Sequence, residues 1–187
     1  MRQGAPFRMI NLVLLWCVLQ PTVCADDLRT VQNKVAGVLA HPALHQAYVG
    51  ALVVRADSGE EIYRFDAERP LIPASNMKLV TVGTALEVLG AQWNCSAVAG
   101  ARPGETLDQL ARRILKPSDN KLADALLQAL PLAAGRPDLM PSQLCTEAWG
   151  ERDVYLHGTR WADGSGLSRD GMMSAEVIVD LLRVMDR

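Results

Sequence analysis

A chain of 187 residues with 49% hydrophobic residues has too much apolar content to remain disordered. Its 19 lysines and arginines nearly balance 21 aspartates and glutamates, for a formal net charge of −2. With no basic run, composition points neither to nucleic acid nor to an anionic membrane surface as a partner.

The N-terminus has the pattern of an export signal. Arg2 and Arg8 precede the apolar run Met9 to Leu19, and Val23-Cys24-Ala25 offers a small-residue cleavage site before Asp26-Asp27. The run is too short to span a bilayer comfortably, so the expectation is a signal peptide over residues 1–25, cleaved after Ala25, and an exported, periplasmic product. About 160 residues then remain, 26–187, enough for one core. Cys17 and Cys24 leave with the signal. Cys95 and Cys145 stay in an oxidising compartment, where a disulfide and two separate thiols are both open.

Leu28, Val31, Val35, Val38 and Leu39 recur at helical spacing and predict a first amphipathic helix ending near Ala40, where His41-Pro42 stops it. Ala47 to Arg55 and Glu60 to Asp66 read as a β-hairpin turning at Asp57-Ser58-Gly59. Pro70 and Pro73 mark a loop, after which Ser75 to Leu89 is helical, with Gly90 in the stopping position. Arg102-Pro103-Gly104 breaks the chain; Leu107, Leu110, Ala111 and Ile114 then predict a helix closed by Pro117. Ser118 is expected to open the next helix, running to about Leu130 with Asp119 in its first turn. Ala133 to Pro141 reads as a linker, Ser142 to Gly150 as a helix, Trp161 to Asp170 as a loop, and Ser174 to Met185 as the last helix.

Within this frame, Ser75-Asn76-Met77-Lys78 is a way to make a nucleophile. A hydroxyl is a poor nucleophile at neutral pH and needs a base within about 2.6–3.2 Å. Residues three apart on a helix share a face, so the Lys78 amine can reach the Ser75 oxygen. Burial and the helix N-terminus would both lower the lysine pKa and make it a usable proton acceptor. Downstream, Ser118-Asp119-Asn120 supplies the second part of the trio Ser-x-x-Lys, Ser-Asp-Asn and Lys-Thr-Gly that marks serine acyl-transfer sites.

Three runs, Pro73-Ala74-Ser75-Asn76-Met77-Lys78-Leu79, Leu115-Lys116-Pro117-Ser118-Asp119-Asn120 and Asp163-Gly164-Ser165-Gly166-Leu167-Ser168-Arg169, stand in the order of one family. They resemble the serine D-alanyl-D-alanine carboxypeptidase/endopeptidase family, penicillin-binding proteins of the class C, type-4 kind (peptidase family S13). The resemblance implies an α+β, β-lactamase/transpeptidase-like domain with an antiparallel sheet and helices, and hydrolysis of peptidoglycan stem peptides through an acyl-enzyme on Ser75. By the same resemblance Lys78 takes the Ser75 proton and Ser118, lying between Lys78 and the leaving nitrogen, passes a proton onward. Asn120 holds the substrate backbone and orients Lys78, the Ser75 N–H forms half of the oxyanion hole, and β-lactam antibiotics are covalent inhibitors. The Asp163 to Arg169 loop is expected near the site with no chemical step assigned.

Two departures from the family pattern accompany the match. Only Gln92 to Lys116 stands where the family carries inserted accessory domains, and no Lys-Thr-Gly follows Arg169, so the expectation is a shortened, C-terminally truncated form of the domain. His157-Gly158-Thr159 is read as a plain turn and not as a substitute for that motif. The alternatives carried are a class A-like β-lactamase, with Glu147 or Glu151 as deacylating groups, and a catalytically impaired penicillin-binding module. No cofactor and no metal are expected. His41 and His45 at i and i+4 have Pro42 between them and read as loop, Trp93, Trp149 and Trp161 as core or loop packing, and Arg112-Arg113-Lys116 as a solvated helix face.

Overall fold

The computed structural model describes residues 25–186; residues 1–24 of the expected export signal, 1–25, lie outside them. The described chain divides into two compact units, one ending at Ala67 and the other beginning at Glu68. Among the described residues no helix is long and apolar enough to cross a membrane.

The first unit is a helix and a hairpin. Helix α1 (Ala25–Leu39) is followed by a single 3-10 turn, Pro42–Leu44, whose entry is capped by the His41 ring: Nδ1 accepts from the Ala43 N–H at 3.2 Å. Strands β1 (Ala51–Val54) and β2 (Glu61–Phe65) pair antiparallel, Ala51 opposite Phe65 and Val53 opposite Tyr63, with an irregularity between Val53 and Val54. The pairing is shorter than the β-branched stretch from Ala47 predicts. Its limit is set by the partner, because Asp66 adopts a left-handed backbone (φ 41°) immediately after β2 and leaves nothing opposite residues before Ala51. The connecting turn is closed by Asp57, which accepts from the Ser58 N–H at 2.8 Å and pairs with Arg55 at 2.9 Å. Gln32 of α1 donates to the Ile62 carbonyl of β2 at 2.7 Å, tying the helix to the hairpin.

The second unit is built around one buried helix. Helix α2 (Met77–Leu89) carries apolar or small residues on nearly all sides, and Met77 through Ala85 are buried apart from Leu79. A stretch buried to that extent has to be surrounded. Helices α3 (Leu107–Leu115), α4 (Asn120–Ala133), α5 (Pro141–Gly150) and α6 (Ala175–Met185) all pack against it. Leu107, Leu110, Ala111 and Ile114 give α3 the i, i+3, i+4, i+7 stripe that meets Leu122, Leu126 and Leu130 of α4 in one core. Cys95 and Cys145 belong to that core as two free, buried thiols; burial pushes the Cys145 thiol up to about 11. Trp93 and Trp161 pack on the core from its edge.

Two details of α4 differ from the sequence reading. Ser118 does not open the helix: its backbone is left-handed (φ 59°), and Asp119 is the N-cap, its Oδ1 accepting from the Leu122 N–H at 3.0 Å. At the other end α4 continues past Leu130 to Ala133 through Pro131. A proline there loses one N–H bond near the helix end, and its ring is buried.

Trp149 of α5 locks α5 to α2. It is 1% exposed, its Nε1 donates to Thr84 Oγ1 at 2.9 Å, and Thr84 Oγ1 donates to the Val80 carbonyl at 2.7 Å. The approach is close enough that a Cβ on Gly83 would lie 2.8 Å from the Trp149 ring. Replacing Trp149 with Ala should therefore cost about 3–5 kcal/mol of unfolding free energy, read as a lower urea midpoint; a loss under about 1 kcal/mol would mean that α5 does not depend on this ring.

Candidate active site

The segment leading into α2 turns sharply. Ala74 takes a left-handed backbone (φ 47°), uncommon for a residue with a Cβ, and Ala74–Asn76 forms a 3-10 turn before α2 begins at Met77. Ser75 therefore sits on an exposed turn, while Lys78, one turn later, is 1% exposed. Lys78 Nζ donates to Ser75 Oγ at 3.2 Å, to Asn120 Oδ1 at 2.6 Å and to the Ser165 backbone carbonyl at 2.8 Å. An ammonium has three N–H bonds, and these three oxygens use them all.

Desolvation lowers the Lys78 pKa below the ordinary lysine value, and the carboxylates of Asp124, Asp163 and Asp119 work against it. The consequence is a larger neutral fraction at any given pH than a surface lysine would have. In the neutral amine only two N–H bonds remain. Asn120 Oδ1 and the Ser165 carbonyl can only accept, so they retain those two, and the lone pair is left facing Ser75 Oγ.

Ser118 reaches the same oxygen from the other side, its Oγ donating to Ser75 Oγ at 2.8 Å. The left-handed backbone at Ser118 belongs to the turn that brings α4 in, with the Asp119 N–H bonded to the Ile114 carbonyl at 2.9 Å. Ser118 and Lys78 thus meet at one oxygen, that of Ser75. Asn120, the first residue of α4, joins through its carbonyl oxygen. The four residues singled out in the sequence, Ser75, Lys78, Ser118 and Asn120, are thus in one hydrogen-bonded group.

The third oxygen on Lys78 was given no role by sequence reasoning. It belongs to the loop 163–168, which is held by its own aspartate: Asp163 accepts from the Gly166 N–H at 2.6 Å and from the Ser168 N–H at 2.7 Å. Gly166 is left-handed (φ 74°), and a Cβ there would fall 1.7 Å from the Ala74 carbonyl oxygen. Only glycine lets the loop lie against the turn that carries Ser75. A main-chain carbonyl has no residue-type signature, so the only trace of this contact in the sequence is the pair of glycines flanking Ser165.

Other candidates fall outside the group. Glu147 is in an exposed ion pair with Arg136 at 3.2 Å, and Glu151 is the exposed C-cap of α5. His157 stacks on Tyr155 with ring centroids 5.6 Å apart, and Thr159 closes a turn onto the Leu156 carbonyl at 3.1 Å. Arg112 pairs with Asp108 and Arg113 with the buried Glu105. His41 and His45 are exposed, and among the described residues no cluster of three or more His, Cys, Asp or Glu is arranged to hold a metal.

Comparison with known proteins gives a family and a fold. The model of the D-Ala-D-Ala carboxypeptidase 3 (S13) family matches residues 31–102 and 96–186. A D-alanyl-D-alanine carboxypeptidase from Actinomadura sp. (strain R39) is 42% identical over 79 residues, 41% of this chain and 15% of that protein. Penicillin-binding protein D2 from Listeria monocytogenes superposes with a TM-score of 0.54 in its cefotaxime-bound form and 0.53 in its ampicillin-bound form. Each match has 18% identity and covers 73% of this chain and 61% of that one. That likeness carries the fold: helices with a small antiparallel sheet in the transpeptidase-like arrangement. The chain spans less than two thirds of the length of each of these relatives.

The electrostatics of the site are testable without any substrate. Replacing Asn120 with Asp puts a carboxylate where Lys78 now meets an amide oxygen 2.6 Å away. An opposite charge at that range favours the ammonium, so the Lys78 titration followed by ¹⁵N NMR should move up by about one to three pH units. No upward movement would mean that Asn120 does not touch the amine in solution.

Proposed function

We propose that this chain, which belongs to the D-Ala-D-Ala carboxypeptidase 3 (S13) family, acts as a serine-type D-Ala-D-Ala carboxypeptidase or endopeptidase on peptidoglycan stem peptides. The observation that carries the reading is Ser75 Oγ with two polar partners, the buried Lys78 amine at 3.2 Å and the Ser118 hydroxyl at 2.8 Å.

In this reading neutral Lys78 takes the Ser75 proton as Oγ attacks the carbonyl carbon between two D-alanines. The oxyanion of the tetrahedral intermediate is met by the Ser75 N–H. The C–N bond then breaks, and the proton held by Lys78 returns through Ser118 to the departing amine nitrogen, leaving the acyl group on Ser75. Water completes the cycle: it attacks the acyl carbon while giving a proton to Lys78, and Lys78 hands that proton to Ser75 Oγ as the ester C–O bond breaks, regenerating the serine and the neutral amine. Asn120 has a double part: its Oδ1 orients Lys78, and its amide N–H bonds point to the substrate backbone as their partner. A β-lactam carbonyl would enter at the first step and stop there, as a covalent inhibitor.

Incubation with a fluorescent penicillin, a denaturing gel and peptide mass spectrometry test this. A stable adduct on the peptide containing Ser75 is expected, and Lys78→Ala should slow its formation by about 10²–10⁴-fold. Hydrolysed drug without an adduct would make the protein a β-lactamase instead, and no reaction at all would make it a binding module that retains the fold alone.

The reading also places the protein outside the cytoplasm, where its substrate is. Residues 1–25 are the proposed signal peptide and 26–187 the transpeptidase-like domain, supported by the apolar run Met9 to Leu19 and the small residues before Asp26. N-terminal sequencing of the protein recovered from the periplasm should begin at Asp26; a start at Met1 would sink the proposed cleavage.

A further inference from the structure

The loop 163–168 reaches Lys78 through a main-chain carbonyl, and a main-chain carbonyl is only as well placed as the peptide before it. The residue that leads into it, Gly164, is gripped on both sides. The Gly164 N–H donates to Asp124 Oδ1 at 2.9 Å, and the Gly164 carbonyl accepts from Thr81 Oγ1 at 2.8 Å. A Cβ on Gly164 would lie 2.7 Å from the Ala123 carbonyl oxygen and 2.8 Å from Leu127 Cβ, so the residue is flush against α4. Neither side chain touches Ser75, and neither has a role in the steps above.

Helical spacing explains how both reach it. Thr81 stands three residues after Lys78 on α2, and Asp124 four after Asn120 on α4, so each helix shows two polar residues on one face. One member of each pair meets at Lys78 Nζ; the other member meets at Gly164. Thr81 is fully buried, yet its hydroxyl leaves its own helix, whereas Thr84 satisfies its hydroxyl on the Val80 carbonyl four residues back. A buried hydroxyl spent on a loop, where its own helix offers an acceptor, points to the loop as what needs holding.

We propose that Asp124 and Thr81 are positioning residues that clamp Gly164 between α4 and α2, one on its N–H and one on its carbonyl, and thereby keep the following Ser165 carbonyl on Lys78. The proposal rests on the reading of Lys78 as the base in Ser75 acylation, and it adds an electrostatic part. The carboxylates facing Lys78 are Asp124 and Asp119 from α4 and Asp163 from the loop; all three favour the ammonium, against burial. Asp124 therefore does two things at once, which substitution separates: Asp124→Asn keeps an oxygen for the Gly164 N–H and removes the charge, Asp124→Ala removes both, and Thr81→Val removes only the hydroxyl.

The experiment measures the rate of penicillin acylation against pH for the full chain and for Thr81→Val, Thr81→Ser, Asp124→Asn and Asp124→Ala, together with the Lys78 Nζ titration by ¹⁵N NMR on unreacted protein. Thr81→Val and Asp124→Ala should each acylate roughly 10- to 100-fold more slowly, the order of loss for a reacting group displaced by a fraction of an ångström to one ångström. Thr81→Ser should restore the rate. Asp124→Asn should stay within a few-fold of the unsubstituted chain on the alkaline plateau, and the rising limb of its profile should move to lower pH, because one charge favouring the ammonium is gone. Thr81→Val should leave the limb where it is.

A purely structural role would lower thermal stability without that split. A wild-type rate in Thr81→Val together with an unmoved limb in Asp124→Asn overturns the proposal even if Asp124→Ala fails to fold. If the unsubstituted chain forms no adduct, the functional reading falls by itself and the clamp is judged on the Nζ titration: lower in Asp124→Asn supports it, unchanged overturns it.

Discussion

One ammonium taken out of water organises the second unit. Removing a charge from solvent costs several kcal/mol even after relaxation, and Lys78 is almost wholly removed. The compensation comes from three oxygens on three separate pieces of chain: the turn before α2, the first residue of α4, and the loop after Trp161. None of the three is near another in sequence except through Lys78. The fold has to bring α2, α4 and the loop to a single atom, and the packing of the rest of the unit follows from that meeting.

The apolar architecture serves the same end from behind. A helix buried over most of its first nine residues has little freedom to shift or roll, so α2 gives Lys78 a rigid support. Trp149 closes the back of it, and the stripes of α3 and α4 close the front. The site itself is carried on strained or irregular backbone, with positive φ at Ala74 and Ser118 on either side of the nucleophile. Strained backbone of this kind persists where the surroundings over-determine it and clusters at sites of chemistry.

Much of this was legible in the residues. The stripe Leu107, Leu110, Ala111, Ile114 fell within a residue of the observed α3, and α6 began one residue after the expected Ser174, which caps it by accepting from the Val177 N–H at 3.2 Å. The grouping of Ser75 with Lys78 follows from helical spacing alone. The grouping with Ser118 and Asn120 did not follow from spacing; it came from the family motif, because contacts across 40 or more residues leave no local periodicity. What stayed hidden shares a cause. The Ser165 carbonyl, the left-handed Ser118 and the true cap at Asp119 are facts about main-chain direction, which side-chain type constrains only weakly. Likewise β1 stops where the chain turns away at Asp66, the residue just past its partner strand.

The contact between Gly166 and the Ala74 carbonyl has a consequence for how this protein can change by mutation. Where two side chains collide, a smaller partner can restore the fit, and the two positions drift together. Here one of the colliding groups is a peptide oxygen, which all twenty residue types present alike. No exchange at position 74 can make room for a side chain at 166, and the same holds for Gly164 against the Ala123 oxygen. Suppressors of a substitution at either glycine have to alter the path of the backbone, by insertion, deletion or a new turn. Such changes also carry Ser75 or Asn120 with them, so the two glycines are tied to the chemistry more tightly than any of the side chains that pack around it.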